Sequence, residues 1–202
     1  MKKLVGVLAL QGAFREHRQV LEHLGCDVIE VRKTGDLEGI QGLIIPGGES
    51  TTIGKLLMLD EMGEKIKELG TQDLPIFGTC AGMILLSKTI INSDQYRLNL
   101  MDTVVERNAF GRQVASFETD LLVPAMGPNP IRAVFIRAPY LREVAPNVGI
   151  LAEYNGKIVF ARQGNLLASA FHPELTPDLR VHKYFLDMID ENRGSKNQSS
   201  FL

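Results

Sequence analysis

This 202-residue sequence predicts an α/β fold with an open, mostly parallel sheet, helices on both faces, and added antiparallel strands in its C-terminal half. Two patterns carry that prediction. Through the first two thirds, short apolar runs alternate with stretches of helical period, which implies right-handed βαβ crossovers. From about Asp102 the helical period gives way to short β-like runs, and Asn155-Gly156 between two of them is a strong type I′ hairpin signal.

The first element, "KLVGVLAL", is a continuous apolar run of the kind a strand buried on both faces shows. "AFREHRQVLEHLG" follows as a helix, with Phe14, His17, Leu21 and Leu24 on one stripe and Gly25 placed to end it. "DVIEV" and "GLIIP" are the next strands, and the loop "GGESTT" opens a helical region running to about Leu69. "LPIF" is the fourth strand and "AGMILLSKT" the helix after it. The β-rich half reads "VASFETDLLV", "IRAVFIR", "VGILAEY", "KIVFAR" and "LLASAFH", and "TPDLRVHKYFLDMIDEN" closes the domain as a helix. There is no internal repeat or linker, so residues 1–192 form a single expected domain. The polar, aperiodic residues 193–202 are an expected flexible tail.

Composition narrows the function classes. Lys and Arg total 22 against 24 Asp and Glu, a net charge of −2 that gives no reason to expect nucleic acid or an anionic membrane as partner. The longest apolar runs are far too short to span a bilayer. The start, "MKKLVGVLALQG", lacks the long apolar core and small-residue cleavage site of a signal peptide, so a cytoplasmic chain is expected. The two cysteines, Cys26 and Cys80, give neither a disulfide framework nor a CxxC metal spacing.

Cys80 stands in "LPIFGTCAGMILL", where an apolar strand runs into a tight turn and then into an apolar helix. Gly78-Thr79-Cys80-Ala81-Gly82 has the spacing of a nucleophile elbow, G-x-S-x-G, with sulfur replacing oxygen. Such a turn lifts the side chain off the carboxyl end of the sheet, where open α/β sheets place their ligands. It also sets the sulfur at a helix N-terminus, which favours negative charge, and aims the Ala81 N–H at the place of a tetrahedral oxyanion. A small buried cysteine at a tight turn is the bland alternative, and for Cys26 it is preferred.

A cysteine nucleophile needs a base. His17, His23 and His182 lie in helical patterns that suggest surface or packing roles. His172 ends an apolar run and begins "HPEL", and Pro173 forces it toward an extended conformation. In extended chain, positions i and i+2 share a side, so Glu174 can orient the ring. A third element, "IIPGGESTT", offers the backbone N–H groups of Gly47 and Gly48 as the other half of an oxyanion hole. It is not a P-loop, because that pattern would need Gly at Glu49 and Ser or Thr at Leu56.

Elbow cysteine, PGG loop and HPE together resemble the class I glutamine amidotransferases, whose fold is flavodoxin-like and whose triad is Cys-His-Glu. "LALQGAFREH", "LIIPGGESTTIGKLL", "FGTCAGMILLS", "VERNAFGRQ", "FIRAP" and "AFHPEL" are similar, as a set, to the glutaminase-subunit family of pyridoxal 5′-phosphate synthases. That resemblance implies Cys80 as nucleophile, His172 as base and Glu174 as its orienter. It implies glutamine contacts at Gly48, Glu49, Ser50, Arg107, Ile136 and Arg137, and a partner interface near Gln11. The guanidinium of Arg107 also suits the α-carboxylate of a free amino acid. The implied partner is a barrel-shaped synthase subunit in a large heteromeric assembly, with no cofactor or metal on this chain. The Gly47-Gly48 peptide is a candidate switch, its carbonyl facing the site at rest and its N–H turning inward on docking. The alternatives are a glutaminase of another amidotransferase, a peptidase-like cysteine hydrolase, or a non-catalytic subunit.

Overall fold

The computed structural model describes residues 2–107 and 116–199, with side chains through Gly194. In chain order the elements are β1 (Leu4–Leu8), α1 (Phe14–His23), β2 (Asp27–Val31), β3 (Gly42–Ile45), α2 (Ser50–Leu59), α3 (Met62–Thr71), β4 (Ile76–Thr79) and α4 (Ala81–Leu86). Then come β5 (Ser87–Ile90), β6 (Met101–Glu106), β7 (Ser116–Leu121), β8 (Ile131–Ile136), β9 (Tyr140–Val144), β10 (Gly149–Tyr154), β11 (Lys157–Gln163), β12 (Leu166–Ser169) and α5 (Arg180–Ser199).

One large sheet runs β2-β1-β3-β4-β12-β11-β9-β6-β5, with β10 branching from β11, while β7 and β8 form a separate antiparallel ribbon. The block β2-β1-β3-β4-β12 is parallel throughout. Antiparallel pairing begins at β11, which joins β12, β10 and β9. The run "KLVGVLAL", read as a strand buried on both faces, has residues 5–8 buried with Leu4 partly so, and all of β3, β4 and β12 is buried too.

Alternation along β4 shows why both faces need helices. Phe77 points to one face, where its ring meets His17 of α1 and His182 and Phe185 of α5. The next residue, Gly78, points to the other face, where a Cβ would lie 2.5 Å from the Gly82 carbonyl carbon in α4. No helix among the described residues is long and apolar enough to cross a membrane.

Four details depart from the sequence reading, each for a tertiary reason. The helical region after the PGG loop is two helices, broken at Glu61 with φ 49°. The Thr34 hydroxyl donates to the Asp60 carbonyl at 2.7 Å, capping α2 from outside its own sequence. The helix expected over "AGMILLSKT" stops at Leu86, and Ser87–Ile90 becomes β5, paired in parallel with β6. Ser87 makes that switch tolerable, donating to Met83 O at 2.9 Å and accepting from the Thr103 hydroxyl at 2.9 Å. Strands β6 and β9 have no counterpart in the sequence reading; they pair with each other across the sheet. Finally, α5 continues past Asn192 to Ser199. The first two residues of the expected strand "VASFETDLLV" lie outside the described residues.

Candidate active site

The parallel block has the order 2-1-3-4 followed by β12, so the chain reverses direction across the sheet between β1 and β3. Ligands of open α/β sheets bind outside the carboxyl ends of strands at such a switch point. A cavity of about 730 Å³ opens there. Gln11, Gly12 and Ala13 after β1, Gly47 to Ser50 after β3, and Cys80 after β4 line it, joined by Arg107, Ile136, Arg137 and His172.

Cys80 caps the N-terminus of α4 with φ 50° and ψ −99°, a backbone conformation that L residues rarely hold. Such strain costs on the order of 1–3 kcal/mol and persists only where the surroundings impose it. Here they do. The Cys80 N–H donates to Ser169 O of β12 at 2.7 Å. A Cβ on Gly82 would collide with the Ile45 carbonyl oxygen of β3, so the turn can be this tight only with glycine. The sulfur is directed toward the Ile136 carbonyl, 3.8 Å away. Arg137, also at the cavity, is a second non-glycine residue in the left-handed region, with φ 44°.

His172 is fixed from β8, since its N–H donates to Val134 O at 2.8 Å. Its ring Nδ1 lies 2.7 Å from Glu174 Oε1. His172, with φ −106° and ψ 87°, falls short of the extended conformation expected from the sequence, and Pro173–Leu175 form a 3-10 turn. The carboxylate therefore reaches the ring by curling back rather than by strand alternation. Burial works against an imidazolium at 172, but the hydrogen bond to Cys80 and the Glu174 carboxylate outweigh it and raise the pKa to about 10. For Glu174, burial disfavours the carboxylate, yet His17, the His172 hydrogen bond and its own backbone N–H bring the net shift below the usual range.

The rim is a polar lattice. The Glu49 N–H donates to Gln11 Oε1 at 2.8 Å, and the Ala13 N–H to Gly47 O at 3.0 Å, so the β1 and β3 loops are tied together twice. Because a trans peptide points its C=O and N–H oppositely, the Gly48 N–H faces away from Ala13. The Gly47 carbonyl of the candidate switch peptide is thus held by the Ala13 N–H. Arg107 donates to Gln95 Oε1 at 2.8 Å and approaches Glu49 Oε1 at 3.4 Å. Ser50 Oγ also donates to Gln95 Oε1, at 3.3 Å. Ala81, next in chain to Cys80, and Glu174, two residues after His172, are not among the residues that line the cavity.

Sequence reasoning missed three residues of this region. Gln95 holds Arg107 and Ser50 together, and no pattern around "SDQYR" signals that. His17 and His182, read as surface or packing side chains, are fully buried directly behind Glu174. Among the described residues no group of three or more His, Cys, Asp or Glu side chains is disposed to hold a metal ion.

Comparison with known proteins finds relatives over most of the chain. A protein from Moorella thermoacetica named pyridoxal 5′-phosphate synthase subunit PdxT is 62% identical over 185 residues, covering 92% of this chain and 98% of the relative. One of the same name from Pelotomaculum thermopropionicum is 62% identical over 183 residues, covering 91% and 93%. A solved structure described as a glutamine amidotransferase superposes with a TM-score of 0.88 at 50% identity, covering 92% of this chain and 98% of its own. The family model of the SNO glutamine amidotransferases matches residues 7–191. With that match spanning the strained cysteine, both loops and the histidine-glutamate pair, the chain belongs to the SNO glutamine amidotransferase family.

Proposed function

We propose that this chain is the glutaminase subunit of a pyridoxal 5′-phosphate synthase, hydrolysing glutamine to glutamate and passing the ammonia to its synthase partner. The observation that carries the chemistry is the strained Cys80 beside a His172 ring held at 2.7 Å by Glu174, all at one cavity at the switch point. The names of the relatives at 62% identity support the choice of product pathway.

The reaction follows from the charges. As the Cys80 sulfur attacks the side-chain carboxamide carbon of glutamine, its proton passes to the His172 ring. The carbonyl oxygen becomes an oxyanion beside the N–H groups of Ala81 and of the Gly47-Gly48 loop. The C–N bond then breaks, the imidazolium proton goes to the leaving nitrogen, and ammonia departs from a γ-glutamyl thioester. Acylation removes the sulfur's contribution to the His172 pKa, since its hydrogen bond and charge were two of the groups raising it. The ring is then a competent base. It takes a proton from water, the hydroxide attacks the thioester, and the thiolate leaves as glutamate is released. Glu174 keeps the ring in one tautomer throughout.

Arg107, positioned by Gln95 and Glu49, is suited to the substrate α-carboxylate, with Gly48, Glu49, Ser50, Ile136 and Arg137 forming the rest of the glutamine pocket. Gln11 and the PGGES loop form the rim on which a barrel-shaped synthase subunit of a large cytoplasmic assembly docks. The test is glutamate formation from glutamine by the chain with its synthase partner, wild type against Cys80→Ala. The variant should lose hydrolysis while the assembly still makes product from added ammonium. A Cys80→Ala chain that keeps a substantial glutaminase rate overturns the mechanism.

A further inference from the structure

Behind the histidine-glutamate pair lies a second histidine pair that the mechanism above does not use. His17 of α1 and His182 of α5 are both 0% exposed, and His17 Nδ1 is 2.9 Å from His182 Nε2. The other nitrogen of His17, Nε2, lies 3.3 Å from Glu174 Oε2 and 3.2 Å from the Thr79 hydroxyl. Glu174 Oε2 has no well-aligned hydrogen bond of its own, and neither has His182 Nδ1.

The tautomers can be assigned from these contacts. Burial lowers the His17 pKa, and an imidazolium there would place a second cation beside His172 in a dry site, so His17 is neutral with one ring proton. A lone pair facing the Glu174 carboxylate would be repulsive, so the proton is on Nε2, shared between Oε2 and the Thr79 oxygen. Nδ1 of His17 is then an acceptor and must be met by His182 Nε2–H. That leaves His182 Nδ1 as a bare acceptor, consistent with its lacking a partner, because an unpaired N–H is the rarer buried orphan. Burial holds His182 neutral as well, with its pKa pushed down to about 3.

We propose that His17 is a positioning residue for the glutaminase reaction: its Nε2–H, bonded to the Thr79 hydroxyl, faces the second oxygen of Glu174 at 3.3 Å and steadies its charge, and His182 fixes the tautomer that makes this possible. The result is one polarised line running from His182 through His17 and Glu174 to His172 and Cys80. This inference rests on the Cys80-His172-Glu174 reading above. The titratable groups acting on Glu174 are His172, with the Cys80 sulfur beyond it, and His17 from α1, with His182 from α5 behind His17; Glu16 of α1 and the Thr79 hydroxyl of β4 act on His17. Among these, His17 alone offers the Oε2 oxygen a ring N–H.

The experiment compares wild type, His17→Leu, His17→Gln and His182→Phe, each assembled with the synthase subunit and checked for thermal unfolding. Glutaminase kcat and KM are followed against pH. His17→Leu should lower kcat by about 10–100-fold, as loss of an orienting partner typically does. KM should hold, since His17 does not line the cavity. Without the donor the Glu174 carboxylate is harder to keep ionised, so the acid limb of kcat/KM should move up by about one pH unit. His17→Gln, whose amide nitrogen takes the place of Nε2, should restore most of the rate and the limb. His182→Phe, more distant from Glu174, should shift the limb the same way by less. A folded His17→Leu with unchanged rate and limb overturns the proposal, as does equal impairment of Leu and Gln variants with no movement of the limb. An inactive wild-type assembly, or an active Cys80→Ala, refutes the underlying mechanism instead and is read separately.

Discussion

Gly47→Ala puts the site geometry to a sharp test. A Cβ at residue 47 would fall inside van der Waals contact of His172 Cε1, 3.0 Å from its Nδ1 and 3.3 Å from Cys80 Cβ, where ordinary contact begins at 3.4 Å. The neighbours it meets are the ring of the proposed base and the root of the proposed nucleophile, neither of which is a floppy side-chain end. The ring must therefore retreat by roughly 1 Å, a displacement that costs about 10²-fold in rate when it separates reacting groups. Retreat also stretches the 2.7 Å bond to Glu174, and a bond of that charge-assisted kind is worth about 1.5–3 kcal/mol. Overpacking of this size lowers stability by about 1–3 kcal/mol, which leaves a folded chain. The assay is glutamate production by the assembled complex at saturating glutamine, with thermal unfolding of the same sample. Gly48→Ala is the comparison: its Cβ would meet Gln11 Oε1 at 2.5 Å and the Gly12 Cα at 3.1 Å, away from the ring and the sulfur, so the loss should be smaller. A folded Gly47→Ala enzyme within a few-fold of wild type, or one no worse than Gly48→Ala, would refute the reasoning.

Glu174→Gln should reduce kcat strongly but less than Cys80→Ala, because the carboxylate tunes the ring while the sulfur forms the covalent bond; equal losses would contradict that division. The pH profile gives an independent check. With the His172 pKa raised to about 10, the imidazolium is present below that value and lost above it, so the alkaline limb of kcat/KM should fall near pH 10. In Glu174→Gln one of the groups raising that pKa is gone, so the limb should move to lower pH, and an unmoved limb would remove Glu174 from control of the ring.

Much of the fold was legible because buried parallel strands announce themselves locally. "GLII" and "IFGT" are apolar on both faces, and no distant partner is needed to recognise them. Strands β6 and β9 pair with each other, and their half-buried alternation is weaker, so their assignment depends on contacts that a linear reading does not see. The elbow was legible for a similar reason, because Gly78 and Gly82 bracket Cys80 within five residues of chain, although the carbonyl that Gly82 makes room for belongs to the remote Ile45. Gln95 and the His17–His182 pair were not, since their meaning arises only when remote segments meet. His17 and His182 stand 165 residues apart, and each in isolation is a polar residue on an apolar helical stripe. Gln11 was expected at a partner surface, and the structure adds an internal task, accepting the Glu49 N–H.

The place of β12 between β4 and β11 has a consequence for how the chain is made. During synthesis β4, which carries Cys80 at its end, emerges long before Leu166–Ser169, the strand that covers its second edge. A nascent chain therefore exposes an apolar strand with unpaired backbone groups on one side, the kind of edge that recruits other strands. The same chain carries a thiol with no base, for His172 and its neighbours on α5 follow β12. Chemical competence and protection from aggregation arrive in one event, when the last strand slots into the sheet. Ribosome-bound fragments ending before that strand are therefore expected to be inactive toward glutamine and to recruit chaperones, and glutamate production by such stalled fragments would refute this.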